Sequence, residues 1–77
     1  MNITQQPELA ELVRALRSRQ SLTQEQFAAK LGVTFRTVNR WENAHATPSP
    51  MALKLIQLML KDMGEPGKDL LRRYFAD

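Results

Sequence analysis

The fold of this chain is most constrained by residues 23–41, which read TQEQFAAKLGVTFRTVNRW. The first half of this stretch places apolar residues at the spacing of one helix face, at Phe27, Ala28 and Leu31. Thr23 is predicted to begin this helix, because a threonine followed three residues later by Gln26 is a capping-box pattern. The stretch therefore opens with a short amphipathic helix.

A tight turn and a second helix follow. Gly32 can adopt the left-handed conformation that commonly ends a helix, at little steric cost. After this turn Val33 is predicted to point inward and Thr34 to cap the second helix, whose apolar face contains Val38 and Trp41. The opposite face contains Phe35, Arg36, Asn39 and Arg40. The spacing thus predicts two helices held at an angle, the second with arginines on its exposed side.

Small Ala28, the turn residue Gly32 and the wedge residue Val38 together resemble the helix-turn-helix of the Xre/Cro family of prokaryotic regulators. The similarity continues through the WEN segment at 41–43 and the PSP segment at 48–50, and it covers about residues 9–60. This resemblance implies an all-α fold, a compact lambda-repressor-like bundle of four to five helices that binds double-stranded DNA.

The resemblance also implies a structural ion pair. In proteins that this chain resembles, an arginine at the position of Arg17 pairs with the glutamate of the WEN segment, here Glu42. A planar guanidinium suits such bidentate contact with a carboxylate. The family usually has a glycine after Asn43, whereas this chain has Ala44. Because left-handed alanine costs about 1–2 kcal/mol, we expect either a different loop or that conformation at Asn43 or His45.

With 77 residues, the chain fits one domain. We divide it into an N-terminal arm at 1–6, a helix-turn-helix domain at 7–63, and a C-terminal linker and short helix at 64–77. The arm is expected to fray, although such an arm can also lie along a duplex. The first helix is predicted from about Pro7 to Arg19, with Leu9, Leu12, Val13 and Leu16 on one face.

The fourth predicted helix, from about Pro50 to Met63, is apolar around more of its girth than a four-helix domain requires. One of its stripes contains Leu53, Ile56 and Leu60, and a second contains Met51, Leu55, Leu58 and Met59. Gly64 should end this helix, Pro66 and Gly67 should form a link, and residues 68–76 should form a fifth helix. Two hypotheses for the extra apolar surface of the fourth helix stay open: the fifth helix covers it, or helix four or five forms a homodimer contact.

Charge placement favours a nucleic-acid partner more than the net charge of +3 does. The cluster on and after the second helix of the motif is basic and contains Arg36, Arg40 and His45. Acidic residues lie toward the other end of the chain, at Glu65, Asp69 and Asp77. This asymmetry predicts a basic surface that faces one way.

Other function classes find little support. One histidine and no cysteine leave no nucleophile paired with a base, no metal site and no cofactor site, so we expect no enzyme activity. No stretch is long and apolar enough to span a bilayer, and no signal-peptide pattern is present. The absence of cysteine suits a reducing compartment, so a soluble cytoplasmic protein is expected.

The second helix of such a motif enters the major groove and contacts base edges. We predict base contacts from Phe35, Arg36, Asn39 and Arg40, because arginine can bind guanine O6 and N7 and phenylalanine can contact a thymine methyl. Unpaired N–H groups at helix starts attract phosphate, which predicts phosphate contacts near Thr23, Gln24 and Thr34, although both threonines could serve only as caps. The resemblance adds Thr37 and Asn43, and His45 is either an exposed loop residue or a further phosphate contact.

Two functions therefore compete. The first is a small sequence-specific DNA-binding protein, a prokaryotic transcriptional regulator that occupies a promoter. The second is a protein-interaction module, such as an antitoxin-like partner whose apolar tail, residues 70–75, binds another protein. The exposed Arg36 and Arg40 favour DNA, and salt dependence separates the two because phosphate binding weakens steeply with ionic strength.

Overall fold

The computed structural model of the protein describes residues 6–76, and this part of the chain forms five α-helices. They are α1 (Gln6–Arg19), α2 (Gln24–Leu31), α3 (Phe35–Glu42), α4 (Pro50–Met63) and α5 (Glu65–Phe75). The predicted all-α bundle is confirmed. Of the predicted arm at 1–6, residues 1–5 lie outside the described residues, and Gln6 already belongs to α1.

One apolar core lies between the helices and takes one face from each of them. Its side chains with no more than a trace of exposure are Leu9, Leu12, Val13, Leu16, Phe27, Val38, Ile56 and Leu60. The predicted inner faces of α1, α2 and α3 are therefore confirmed, including Trp41 at the end of α3. This burial supplies most of the stability of α2 and α3, because isolated helices as short as these are marginal in water.

Local signals set the limits of α2. The Thr23 hydroxyl accepts a hydrogen bond from the Gln26 N–H at 3.0 Å, and Gln26 Oε1 accepts from the Thr23 N–H at 2.9 Å. At the other end Gly32 has φ +74°, and the Val33 N–H donates to the Ala28 carbonyl at 3.0 Å. These bonds form the capping box and the left-handed glycine end that the sequence predicts, and the glycine end is a Schellman motif.

The fifth helix begins at Glu65 rather than Lys68, so the predicted link at Pro66 and Gly67 is wrong. Proline fits the first turn of a helix because the N–H that it lacks would have no intrahelical partner there. Gly67 lies inside α5 and is buried against α4, where an added Cβ would overlap the Leu60 carbonyl group. Gly67 is thus a contact point between two helices rather than part of a linker.

An exposed ion pair between Arg19 and Asp69 joins α1 to α5. Arg19 donates to both carboxylate oxygens of Asp69, at 2.6 and 2.9 Å, and to the Pro66 carbonyl at 2.7 Å. The hydrogen bonds from Arg19 lower the pKa of Asp69 from 3.8 to about 2. Because the pKa of the folded state is the lower one, any stability from this pair is present above about pH 4 and is lost as the pH falls toward 2.

The packing of α5 covers only part of the apolar surface of α4. Ala52, Ile56 and Leu60 are buried. Three large apolar side chains of α4 remain exposed, Met51 at 72%, Leu55 at 36% and Leu58 at 49%. These three occur at i, i+4 and i+7, so they form one stripe on a single face. The fifth helix therefore covers only some of the extra apolar surface that was predicted for α4. We call the part that remains exposed, Met51, Leu55 and Leu58, the exposed α4 stripe.

Candidate nucleic-acid interface

The side of α3 that faces away from the core is polar, basic and accessible. Phe35 is 48% exposed, although large apolar side chains are usually buried. Arg36 and Arg40 are exposed on the same helix, and Asn39 between them is partly buried. Because Val38 and Trp41 anchor the opposite face in the core, α3 projects this polar face outward without distortion. The four predicted base-contacting residues thus share one accessible surface.

The predicted phosphate contacts surround the start of α2 and both ends of α3. Thr34 caps α3 by accepting from the Thr37 N–H at 3.2 Å, and the two threonine hydroxyls lie 3.0 Å apart. Thr23 is exposed and its hydroxyl serves as the cap of α2. Both threonines therefore have a structural role, and their phosphate contacts remain predictions.

Gln24, which the sequence marked only as a phosphate contact, is bonded to two other site residues. Its Nε2 donates to Glu42 Oε1 at 2.9 Å, and its Oε1 accepts from Asn39 Nδ2 at 3.2 Å. Asn43 Nδ2 in turn donates to Asn39 Oδ1 at 3.2 Å and to the Asn39 carbonyl at 2.9 Å. We call this series, Glu42, Gln24, Asn39 and Asn43, the amide chain.

The carboxylate at the head of the amide chain also binds α1. Arg17 Nε lies 2.6 Å from Glu42 Oε2, and its Nη2 lies 3.0 Å from Oε1, so the contact is bidentate. The hydrogen bond to Glu42 raises the pKa of Arg17 above its ordinary value. Arg17 Nη1 donates to the Leu22 carbonyl, and Arg14 Nη1 donates to the Glu42 carbonyl. The ion pair predicted from the family resemblance is therefore present, and it joins α1 to the C-terminal end of α3.

The loop after α3 differs from both alternatives that the sequence suggested. Ala44 itself adopts the left-handed conformation, with φ +59°, whereas Asn43 has φ −98°. The His45 N–H donates to the Arg40 carbonyl at 2.8 Å, and the Ala44 N–H donates to the Trp41 carbonyl at 3.1 Å. These two bonds form a Schellman motif in which alanine occupies the position that glycine usually takes. The expectation of that conformation at Asn43 or His45 is therefore wrong.

Replacement of Ala44 by glycine is expected to raise the free energy of unfolding by about 0.5–1 kcal/mol. The substitution relieves the strain of a left-handed alanine, and part of that gain is offset by the greater freedom of glycine in the unfolded chain. Urea denaturation measures the change. Ala29→Gly, at an exposed position inside α2, is the matched control and should lower stability by a similar amount. A loss of stability in Ala44→Gly would contradict this assignment of strain.

Charge is distributed less asymmetrically than the sequence suggested. Arg40 and the exposed His45 do lie together at the end of α3, where Arg40 Nη2 donates to the His45 carbonyl at 3.4 Å. However, α5 also has exposed cations, at Lys68, Arg72 and Arg73, and Asp69 is paired with Arg19. What distinguishes α3 is therefore its two exposed arginines beside an exposed phenylalanine rather than its cations alone.

Residues 13–61 match a protein-family model described as helix-turn-helix, and the match spans α2, the turn and α3 together with most of α4. The chain belongs to the Xre/Cro-type helix-turn-helix family. This is a family of DNA-binding proteins. Searches of curated proteins and of solved structures returned no match to the chain. Family membership agrees with the accessible face of α3, because that helix is the one this motif presents to DNA.

No helix within residues 6–76 is long and apolar enough to cross a membrane. Over the same part of this helix-turn-helix chain, no three or more histidine, cysteine, aspartate or glutamate side chains are grouped so that they could hold a metal ion.

The functional features that sequence analysis missed are contacts between helices. Neither the bond from Arg14 to α3 nor the amide chain follows from spacing within a single helix. One signal was present, because a glutamate directly after the core residue Trp41 lies close to the buried face and needs polar partners there. Glu42 is 5% exposed and has three side-chain donors, two from Arg17 and one from Gln24.

Proposed function

We propose that this helix-turn-helix protein binds a specific double-stranded DNA sequence through the exposed face of α3, and that it acts in the cytoplasm as a small prokaryotic transcriptional regulator. The observation that carries the proposal is the outward display of Phe35, Arg36 and Arg40 on a helix whose other face is fixed in the core. Two arginines and an aromatic ring at the start of a projecting helix suit the major groove.

The chemistry of these side chains supports sequence-specific rather than uniform binding. A guanidinium can donate two parallel hydrogen bonds to guanine O6 and N7, and each such contact discriminates against the wrong base by about 1–3 kcal/mol. The ring of Phe35 can contact a thymine methyl group. The N–H groups at the starts of α2 and α3, next to Gln24 and Thr34, can bind phosphates and fix the register on the duplex.

Selection of bound duplexes from a random pool tests this function. We expect enrichment of a discrete sequence, and we expect its binding constant to fall steeply as salt is raised, because phosphate contacts release counterions. Binding that is equal for all duplexes would contradict specificity. An interaction with no salt dependence would contradict DNA as the partner.

Arg40→Ala is expected to lower affinity for the selected site by roughly tenfold while it changes affinity for random duplex much less. The reason is that a base contact contributes only where the correct base is present. Arg72→Ala is the matched control, since it removes the same charge from an exposed position on α5. Fluorescence anisotropy with both duplexes measures the two ratios. Equal losses in Arg40→Ala and Arg72→Ala would show that Arg40 acts only through charge.

We further propose that two copies of the chain associate through the exposed α4 stripe, which suits a protein that binds two-fold symmetric sites. The support is the run of Met51, Leu55 and Leu58, three exposed apolar side chains on one face. Sedimentation should show a dimer at high concentration, and Leu55→Glu should shift the protein to monomer. A strict monomer that instead binds an unrelated protein through the stripe would favour the second candidate function, a protein-interaction module.

A further inference from the structure

We infer that the Glu42 carboxylate sets the polarity of the amide chain, so that it determines which hydrogen-bonding group Asn39 offers to a base edge. This inference rests on the proposed function, because it assigns a specificity role within the same DNA-binding face. Glu42 does not itself reach DNA: it is buried at the junction of α1, α2 and α3. Its role is to position Asn39 through Gln24.

The end groups of these side chains differ in the hydrogen bonds that they can form. A carboxylate only accepts hydrogen bonds, whereas the side-chain amides of glutamine and asparagine donate at one end and accept at the other. An amide can therefore be rotated by half a turn at little steric cost, unless a neighbour specifies its orientation. The Glu42 carboxylate accepts two hydrogen bonds from Arg17, at 2.6 and 3.0 Å. Glu42 is thus a fixed acceptor at one end of the amide chain.

The orientation of each side-chain amide along the amide chain then follows from the orientation of the one before it. Gln24 must turn its NH2 group toward Glu42, at 2.9 Å, and this places its carbonyl oxygen toward Asn39. Asn39 must therefore donate to Gln24, at 3.2 Å, which turns its own carbonyl oxygen toward Asn43. Asn43 completes the series by donating to both the side-chain and the backbone oxygens of Asn39.

The side-chain N–H groups that are not used within the amide chain are the ones that DNA could contact. Gln24 and Asn39 each use one N–H within the amide chain and have a second N–H outside it, while Asn43 Nδ2 donates to two oxygens of Asn39. Asn39 therefore offers a donor to the groove. A donor favours guanine O6 or N7, adenine N7 or thymine O4, and it disfavours the amino groups of cytosine and adenine. An Asn39 with no fixed polarity could satisfy either kind of edge.

Glu42→Gln is the primary test, because the new amide can either donate to or accept from Gln24. The preference at the base pair nearest Asn39 should fall by about three- to tenfold, the size of one hydrogen bond, while preferences due to Arg36 and Arg40 persist. Arg17→Lys is the matched control: it disrupts the bidentate geometry but keeps a cation beside the carboxylate. An equal loss of base preference in Arg17→Lys would overturn the inference in favour of a general effect on helix alignment.

Two further variants keep the test decisive if Glu42→Gln folds poorly. Gln24→Met interrupts the amide chain but leaves the Arg17 to Glu42 pair in place. This variant should therefore also lose the base preference at the position nearest Asn39. The double variant Gln24→Glu with Glu42→Gln has the same net charge as the parent and moves the fixed acceptor next to Asn39. It should recover the preference that Glu42→Gln loses, and a failure to recover it would count against the inference.

Side-chain amide signals of the free protein test the same idea without DNA. In the parent protein, Asn39 and Gln24 should each show a single pair of non-equivalent NH2 protons, one of them protected from exchange. Glu42→Gln should double or broaden these signals. Unchanged signals in Glu42→Gln would overturn the inference even if the protein binds DNA. Failure of the parent to select any sequence would instead refute the proposed function, and the amide signals would still decide the polarity.

Discussion

Arg17→Ala is expected to lower the free energy of unfolding by about 2–3 kcal/mol and to weaken DNA binding at the same time. The substitution removes the bidentate partner of Glu42, whose side chain is 5% exposed and cannot recover its hydration. The side chain of Arg17 is 25% exposed, which places the expected loss below that of a fully buried pair. Since a domain of this size has a free energy of unfolding of about 3–5 kcal/mol, the substitution should remove a large share of it.

Urea denaturation and duplex binding measure the two effects. Arg19→Ala is the matched control, because Arg19 lies on the same helix and also forms a bidentate pair, but with the exposed carboxylate of Asp69. Exposed pairs of this kind contribute little to stability, so Arg19→Ala should remain close to the parent in both assays. If the two variants lost the same stability, burial of Glu42 would not be the cause. If Arg17→Ala bound DNA as the parent does, the pair would have no part in positioning α3.

Gly67→Ala is expected to lower the free energy of unfolding by about 2 kcal/mol, although helix propensity alone predicts a gain of about 0.5–1 kcal/mol. The added methyl group would overlap the Leu60 carbonyl oxygen and lie 3.1 Å from its carbon. Both are backbone atoms of α4, which cannot move aside as the end of a flexible side chain could. Relief of the overlap requires α5 to shift away from α4.

Thermal or urea unfolding gives the sign of the change, and Lys68→Ala provides the control at the neighbouring exposed position. That control should stay within about 0.5 kcal/mol of the parent. A Gly67→Ala variant more stable than the parent would mean that the close approach of α5 to α4 is absent in solution.

The helix-turn-helix could be predicted from the sequence because its signals are local. A capping box at Thr23 and a glycine at position 32 fix the two ends of α2 within a few residues of chain. Apolar spacing then decides which face of α2 and α3 is buried, and the buried residues Phe27 and Val38 agree with that spacing. Each signal acts over one or two helical turns, so no knowledge of distant contacts is needed.

The features that were not predicted depend on distant contacts or on strain. Pro66 and Gly67 usually mark a loop, yet here proline fits the first turn of α5 and glycine permits close packing on Leu60. Ala44 adopts a conformation that its own preference opposes, because two backbone hydrogen bonds at the end of α3 require it. Packing and hydrogen bonding outweigh local preference at both sites.

The candidate site was predicted in part for the same reason. The exposed side chains of α3 follow from helical periodicity, and the partner of Arg17 follows from the family resemblance. The amide chain does not, since it requires the start of α2 and the end of α3 to lie within hydrogen-bond distance of each other. Gln24 illustrates the difference: its position suggested only a phosphate contact, whereas its amide also joins Glu42 to Asn39.

We propose that α3, held at a fixed angle to α2 by the turn at residues 32–34, is the element that enters the major groove. Titration of the isotopically labelled protein with its selected duplex, followed by backbone amide chemical shifts, tests this claim most directly. We expect the largest shifts at residues 34–45 and at the start of α2, with little change along α5. Shifts concentrated on α4 and α5, with α3 unaffected, would contradict it.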